Sequence, residues 1–293
     1  MTHPPTAIPI RWPAPGDQIT TDGGATYDVG SQLNEGGYAL VFEGLNRQGG
    51  AIALKVYKPA NRPFDEVRNQ WQREAAIMRK LRHQHVTAIV DAFVLENLFF
   101  IVMERAWGSV HQFVQQVGPL PDEAVGLLAE QVLEGLVHTH ANGVLHRDLT
   151  IHNTLVFADS RNTAFYKLAD FGVSKEFAEP WTPMIAHTQI AHPSFIPPEH
   201  LMSTPAYSNE RTDLHQLGLL LLYARIGALP VQDGMPREQA VQIVVAGTAR
   251  QQAEAIGTHL GDFIAVLCRR TNDARFVSAV EALKYLRKLK STG

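Results

Sequence analysis

The chain has 293 residues, of which 45% are hydrophobic and 19% are charged, as is usual for a soluble globular protein. Its 26 basic and 29 acidic residues give a net charge of −3, so composition makes no electrostatic case for binding nucleic acid or an anionic membrane. The single cysteine, Cys268, excludes an internal disulfide framework. The start of the chain lacks the regions of a signal peptide. We therefore expect a cytoplasmic protein with no nucleic-acid or membrane partner.

The first 26 residues are rich in proline, with five prolines before residue 16, and they contain Asp22-Gly23-Gly24. Proline disfavours a helix interior and a central strand. We interpret residues 1–26 as an extension that is disordered or draped on the following domain. A short ligand segment for another module is the alternative.

Strand-like patterns dominate the next 80 residues. Five segments have this pattern: 27–33, 39–43, 51–57, 86–93 and 98–103. Turn-forming residues at 34–37 and 46–50 separate the first three, which predicts an antiparallel meander. Residues 64–81 interrupt the strands with apolar side chains at helical spacing.

After residue 103 the pattern becomes helical. The predicted helices are 122–141, 212–226, 237–245, 260–270 and 277–289. Pro121-Asp122 marks the start of the first, and Thr212-Asp213 is a candidate cap for the second. The apolar stretch 217–229 contains Arg225 and falls short of the ~20 residues that span a bilayer, so we expect a buried helix there.

Three motifs follow one another in this helical part: His146-Arg147-Asp148-Leu149-Thr150-Ile151-His152-Asn153, then Asp170-Phe171-Gly172, then Pro197-Pro198-Glu199. In this order, and with a lysine in the strand at 51–57, they resemble the eukaryotic-type (Hanks-type) protein kinase family over about residues 27–289. The resemblance implies an α+β, bilobal fold after the extension at 1–26. Its kinase domain would take 27–290, with an antiparallel β-rich N-lobe at about 27–104 containing one helix, and a mainly helical C-lobe at about 107–290.

The resemblance implies a protein serine/threonine kinase. Such an enzyme uses ATP and Mg²⁺ and transfers the γ-phosphoryl group to Ser or Thr hydroxyls of protein substrates, with autophosphorylation. The alternative is a pseudokinase or nucleotide-binding scaffold with weak or no transfer. A small-molecule kinase is disfavoured by Pro197-Pro198-Glu199, Asp213 and Arg275, which match substrate-binding apparatus that small-molecule relatives usually lack. The oligomeric state stays open.

The resemblance also assigns catalytic and metal roles. Asp148 corresponds to the base that orients the acceptor hydroxyl and takes its proton. Asn153 and Asp170 correspond to the residues that hold magnesium, a metal that prefers oxygen ligands. Taken outside this ordered set, Asp148 and Asp170 would be ordinary turn or cap residues.

Lys55 matches the strand lysine that contacts the α and β phosphates. Apolar neighbours flank it on both sides, although a lysine in a strand is usually a solvated edge charge. Glu74 is the expected ion-pair partner, because it lies mid-helix among apolar positions; Glu66 is the second choice but lies near the helix start. A surface charge is the alternative for Glu74.

The resemblance implies a nucleotide site made of a glycine loop, an adenine pocket and a hinge. Val41, Ala53 and Leu155 would enclose the adenine, Met103 would be the gatekeeper, and the backbone of Glu104 and Ala106 would form the hinge contacts. The glycine loop keeps its second glycine as Gly36, and Gly37 beside it would help the loop to remain a flexible cover for the phosphates. Asn34 replaces its first glycine and Ala39 its third; asparagine tolerates left-handed backbone angles better than most residues.

The chain departs from the family at two positions that bear on mechanism. Thr150 occupies the place of a lysine that contacts the transferring phosphoryl group, and His192 that of a threonine. Our hypothesis is that His192 or His152 partly substitutes as a donor, and the alternative is that both are structural or solvated. Thr182 and Thr188 are candidate autophosphorylation sites. We expect no strong requirement for arginine upstream of the acceptor.

Overall fold

A computed structural model describes residues 11–59, 62–159, 161, 163–172, 174–176, 193–202, 207–232 and 234–292. The chain forms two compact units. The first contains the described residues up to Arg79 together with Ala88–Arg105, and the second contains Lys80–Thr87 and the described residues from Ala106 onward. The first is β-rich and the second mainly helical, which confirms the predicted α+β class. Thr182, Thr188 and His192 lie outside the described residues.

The first unit is a six-stranded antiparallel sheet with one helix, in the strand order β1-β2-β3-β4-β6-β5. Its elements are β1 (Gln18–Thr20), β2 (Thr26–Glu35), β3 (Ala39–Asn46), β4 (Ala51–Tyr57), α1 (Phe64–Lys80), β5 (Ile89–Leu95) and β6 (Leu98–Glu104). The predicted meander and helix are confirmed. β5 begins three residues later than its sequence pattern suggested.

Side chains along β4 point alternately to its two faces, and the two faces differ in their surroundings. Ile52, Leu54 and Val56 belong to a hydrophobic core cluster on one face of the sheet, whereas Lys55 lies at an alternate position. The helix α1 packs against the sheet through Trp71, whose indole Nε1 donates a hydrogen bond of 2.8 Å to the carbonyl of Phe100.

The described part of the N-terminal extension lies on the first unit. Gln18–Thr20 pair with β2 as an edge strand, and Trp12 packs against the core cluster. The amide of Gly16 donates to the carbonyl of Val29 at 2.8 Å. An edge position is compatible with the proline-rich sequence before it, because only central strands need every amide.

The second unit has α5 at its core. Its elements are β7 (Gly108–Ser109), α2 (Val110–Val117), α3 (Asp122–Ala141), β8 (Val144–Leu145), β9 (Thr154–Ala158), β10 (Ala164–Leu168), β11 (Lys175–Glu176), α4 (Pro198–Met202), α5 (Glu210–Ile226), α6 (Arg237–Ala246), α7 (Thr248–Glu254), α8 (His259–Leu267) and α9 (Ala279–Thr292). Short 3₁₀ turns cover Pro193–Phe195 and Asn272–Ala274. Every residue of α5 from Thr212 to Ala224 is buried, as expected for the apolar stretch. No described helix is both long and apolar enough to span a bilayer.

The predicted cap of α5 is wrong by three residues. Asn209 is the N-cap, and its side chain accepts from the amides of Arg211 and Thr212. The Thr212 hydroxyl in turn accepts from the Asn209 amide at 3.0 Å. Thr212 therefore closes a reciprocal capping box from inside the helix, which allows α5 to begin at Glu210.

Residues 80–87 follow α1 in sequence but belong to the second unit. The amide of Thr87 donates to Leu168 at 2.8 Å, and the amide of Leu168 donates to His85 at 3.0 Å. Gly135 of α3 lies so close to this segment that an added Cβ would be 2.8 Å from the carbonyl oxygen of His85. The strand predicted at 86–93 therefore starts only at Ile89, because Val86 forms a parallel bridge with Leu168.

Candidate active site

The structure brings Lys55 and Glu74 together in the first unit. The Lys55 ammonium lies 2.7 Å from Oε1 and 3.0 Å from Oε2 of Glu74. Lys55 is 8% exposed and Glu74 is 1% exposed, so the pair is buried. Glu66 lies exposed in the first turn of α1, as its position near the helix start suggested. Charged residues are seldom this buried unless they are paired.

Tyr57 joins this pair, and the sequence analysis did not identify it. Its hydroxyl donates to Oε2 of Glu74, and its ring centroid lies 5.4 Å from the Lys55 ammonium. The available signal was strand alternation, which puts residues 55 and 57 on the same face of β4.

Four of the predicted nucleotide-site side chains lie on neighbouring strands of the first unit. Ala53 of β4 is directly opposite Met103 of β6, and Val41 of β3 is directly opposite Lys55. The carboxylate of Glu104 accepts from the Ala88 amide at 2.6 Å, which fixes the end of β6.

The turn between β2 and β3 contains both predicted loop glycines. A Cβ added at Gly37 would meet nothing within 4 Å, and one added at Gly36 would come only within 3.8 Å of the Ala39 carbonyl. Asn34 lies within β2, and its side chain accepts from the Glu35 amide at 2.9 Å. The amide of Gly36 donates to Ala39 at 2.9 Å, so the turn closes on its own backbone.

Asp148 and Asn153 meet in the loop between β8 and β9 of the second unit. The Asn153 amide nitrogen donates to Asp148 Oδ2 at 2.7 Å and to the Asp148 carbonyl at 3.0 Å. With both donors engaged in this way, the amide oxygen is the part of Asn153 that suits a cation. Arg147 has a φ of 69°, a left-handed conformation that is uncommon outside glycine and typical of functional loops.

Two side chains of the helix α5 bind the backbone of this loop. Asp213 accepts from the amides of His146 at 2.9 Å and Arg147 at 2.7 Å, and from the His140 ring at 2.8 Å. Gln216 accepts from the Leu149 amide at 3.1 Å and donates to the Arg147 carbonyl at 3.1 Å. Gln216 thereby satisfies two backbone groups of this loop.

Thr150 has a structural task in the same loop. Its hydroxyl accepts from the amides of His152 at 3.3 Å and Asn153 at 3.2 Å, and the residue is buried. The side chain therefore shapes the turn between Asp148 and Asn153. His152 is exposed, and its ring centroid lies 4.7 Å from that of His111.

Asp170 is exposed and also has a left-handed backbone, with a φ of 62°. Its Oδ1 accepts from the Gly172 amide at 3.2 Å. The next side chain, Phe171, is fully buried and lies 4.9 Å from the His146 ring. Burial lowers the pKa of His146 despite the nearby Asp213 and Asp170 charges, so this ring is a neutral packing partner at physiological pH.

Two further predicted nucleotide-site residues belong to the second unit. Leu155 of β9 pairs with Ser109 of β7, and Ala106 is buried just before that strand. The Trp107 amide donates to the Val156 carbonyl at 2.9 Å, which attaches residues 106–109 to β9.

Glu199 and Arg275 form a second buried ion pair. The guanidinium donates two parallel hydrogen bonds, of 2.9 Å to Oε1 and 2.8 Å to Oε2. Burial by itself would raise the pKa of Glu199, but the hydrogen bonds and charge of Arg275 outweigh it and lower the pKa to about 2. Thr212 and Asn272 also donate to Oε1.

Comparison with known proteins gives the family. Residues 27–286 match the protein kinase domain. The chain belongs to the protein kinase domain family. It is 31% identical over 208 residues to CBL-interacting protein kinase 16 of Oryza sativa, covering 70% of this chain and 44% of that protein. It is 27% identical over 276 residues to a probable serine/threonine-protein kinase of Clostridium perfringens, covering 91% of this chain and 38% of that protein.

A third relative is serine/threonine-protein kinase 36 of Pongo abelii, which is 28% identical over 205 residues, or 70% of this chain and 15% of that protein. The chain thus spans less than half the length of these curated relatives. The kinase domain match starts at residue 27, so β1 lies before it.

Proposed function

We propose that this kinase domain is an active protein serine/threonine kinase that transfers the γ-phosphoryl group of ATP to hydroxyls of protein substrates. The observation that carries the proposal is the catalytic loop, where Asn153 donates two hydrogen bonds to Asp148 and Asp213 fixes the backbone before it. These contacts hold Asp148 in one orientation. A residue that accepts the proton of an acceptor hydroxyl has to be held in this way. The names of the relatives support Ser and Thr as acceptors.

The roles of the individual side chains follow from their chemistry. Asp148 would accept the hydroxyl proton, and Lys55, oriented by Glu74, would bind the phosphates of ATP. The second-unit donors Asn153 and Asp170 offer an amide oxygen and a carboxylate, which suit Mg²⁺. Magnesium, when bound, would neutralise charge on the phosphates.

The candidate metal ligands among the described residues suit a magnesium ion that is also bound by a nucleotide better than an ion enclosed by protein ligands alone. Within the described ranges, no group of three or more His, Cys, Asp or Glu side chains is arranged to hold a metal. Magnesium usually takes only one or two protein oxygens and completes its coordination with water and phosphate.

The proposal extends to features that the sequence alone suggested. It includes autophosphorylation at Thr182 or Thr188, a cytoplasmic setting, and substrates without a strong requirement for upstream arginine. Neutral residues at 109–110 and the exposed His152 support the last point, since neither place offers a carboxylate for an arginine. Mass spectrometry of the segment 173–192 after incubation with Mg-ATP tests the autophosphorylation. An unmodified segment in an active enzyme would refute it.

The deciding experiment is transfer from γ-labelled ATP to a generic protein acceptor, compared with Asp148→Asn. We expect Asp148→Asn to lower the rate by roughly 10²–10⁴-fold, because it removes the proton acceptor. Asp262→Asn, an exposed carboxylate in the first turn of α8, is the matched control and should keep the wild-type rate. Equal rates in Asp148→Asn and wild type would refute the proposal.

A pseudokinase is the second candidate, and Thr150 is the observation that favours it. Its buried hydroxyl serves the loop backbone, so this position contributes no cation to transition-state stabilisation. Binding of Mg-ATP without any transfer that depends on Asp148 would favour this candidate. Loss of activity in His152→Ala or His192→Ala would instead indicate that a histidine partly replaces the missing cation.

A further inference from the structure

Tyr57 contacts both members of the buried Lys55–Glu74 pair. Its hydroxyl donates to Oε2 of Glu74, and its ring lies 5.4 Å from the Lys55 ammonium. Tyr57 is 1% exposed, as buried as the carboxylate that it contacts. A single aromatic side chain therefore touches the anion with its polar end and the cation with its face.

The position of Tyr57 is fixed by the sheet. β4 lies between β3 and β6, and Tyr57 is directly opposite Ala39 of β3. Because alternate residues of a strand share a face, Tyr57 and Lys55 both lie on the side opposite to the cluster of Ile52, Leu54 and Val56. A register slip of one residue would move the tyrosine away from Glu74.

These contacts act on the charge and orientation of Glu74. A hydrogen bond to an ionised carboxylate is stronger than one between neutral groups, and it favours the ionised form. The aromatic face attracts the ammonium of Lys55. Without the hydroxyl, Oε2 would lose one of the donors that orient it, and its orientation would depend more on Lys55, which also contacts Oε2 at 3.0 Å.

We propose that Tyr57 is a positioning residue that keeps Glu74 ionised and oriented, so that Lys55 is presented to the phosphates of ATP. This inference rests on the proposed function, in which Lys55 binds those phosphates. Tyr57 does not touch the reacting atoms in this scheme; it acts through Glu74.

The test is Tyr57→Phe, which removes only the hydroxyl. We expect the KM for Mg-ATP to rise about tenfold, the size expected for loss of one hydrogen bond to a charged group. The KM for the protein acceptor should stay unchanged. The dissociation constant of a fluorescent ATP analogue, measured in the full chain, should rise by a similar factor.

Tyr27→Phe is the matched control within the same unit. The Tyr27 hydroxyl also donates to a carboxylate, Oδ2 of Asp91, at 2.9 Å, and Tyr27 is buried. Both variants should lower the thermal midpoint slightly, whereas only Tyr57→Phe should change the KM for ATP. Equal changes of KM in the two variants would overturn the inference, since they would indicate a general loss of stability.

One more readout separates positioning from packing. In a Glu74→Gln background, Tyr57→Phe should have little further effect on KM, because the charge through which it acts is absent.

The outcomes also separate this inference from the proposed function. An active wild type with a Tyr57→Phe variant of unchanged KM and analogue affinity overturns the role of Tyr57 alone. A wild type that neither transfers phosphoryl groups nor binds the analogue overturns the proposed function and the role of Tyr57 together.

Discussion

Two buried ion pairs among the described residues, Lys55–Glu74 and Glu199–Arg275, are built differently. Arg275 donates to both oxygens of Glu199 and also to the backbone carbonyls of Arg269 and Arg211. Its planar guanidinium is thus fixed in several directions by protein groups. Lys55 is a compact point charge on a flexible stem, beside Glu74. Burial of a charge pair therefore does not identify a functional site; the kind of cation and its other partners are more informative.

Arg275→Met should have the largest effect on folding. It leaves the buried Glu199 carboxylate without its cation, and breaking a buried pair from one side costs about 3–5 kcal/mol. Urea unfolding followed by circular dichroism would measure this loss.

Lys55→Met is the matched change in the first unit. We expect it to lower the free energy of unfolding by less, because Arg275→Met also breaks the bonds of the guanidinium to the carbonyls of Arg211, Arg269 and Arg270. Phosphoryl transfer should nevertheless fall by roughly 10²–10³-fold, the usual cost of removing an electrostatic stabiliser. Equal losses of stability in the two variants would remove the distinction between the pairs.

Acid should lower the free energy of unfolding through His215, whose environment includes the charges of Glu199 and Arg275. Burial, with a smaller effect of the Arg275 charge, lowers the pKa of His215 from 6.5 to about 3. Between these values the unfolded chain binds a proton that the folded chain does not, so stability falls as the pH falls from 6.5 toward 3. Glu199, with a pKa lowered from 4.5 to about 2, adds a loss in the same direction below pH 4.5.

His215→Gln isolates this contribution. We expect its free energy of unfolding to change less than that of the wild type between pH 7 and pH 5, with a difference on the order of 1 kcal/mol or more. Urea unfolding at several pH values would check this. Parallel curves for the two proteins would show that His215 does not titrate as its environment indicates.

Thr150→Val extends the comparison to an uncharged contact, with a smaller effect than Arg275→Met. It is nearly isosteric but leaves the amides of His152 and Asn153 without the hydroxyl acceptor, at a cost of roughly 1–3 kcal/mol. Both the free energy of unfolding and the transfer rate should fall, and Thr150→Ser should keep both close to the wild-type values. A Thr150→Val variant as stable as wild type would mean that the hydroxyl does not hold the loop.

Sequence patterns predicted most of the fold, and their failures have physical causes. The helix at 122–141 has the predicted bounds, because proline and two acidic residues mark its start. The strand predicted at 86–93 begins late, since Val86 pairs instead with Leu168, which lies 82 positions further along the chain. No local pattern contains that information.

The candidate site was predictable where spacing along the chain carries it, as in the order of Asp148, Asn153 and Asp170. The contact of Glu74 with Lys55 also followed from position within the helix. Tyr57 was missed because its hydroxyl bonds to a residue 17 positions away, a contact that depends on how α1 packs on the sheet. The role of the Thr150 hydroxyl was not predictable from the sequence, because it depends on the local turn that brings the amides of His152 and Asn153 to it.

The attachment of the catalytic loop to α5 has a consequence for its motions. Three donors of an irregular segment, the amides of His146, Arg147 and Leu149, are bound to side chains in the buried part of α5. Their protons cannot exchange with solvent through fraying of the loop alone; the contacts with Asp213 and Gln216 must break first. Although this segment has no regular secondary structure, the free energy needed to expose its amides to solvent is therefore that of opening the domain core.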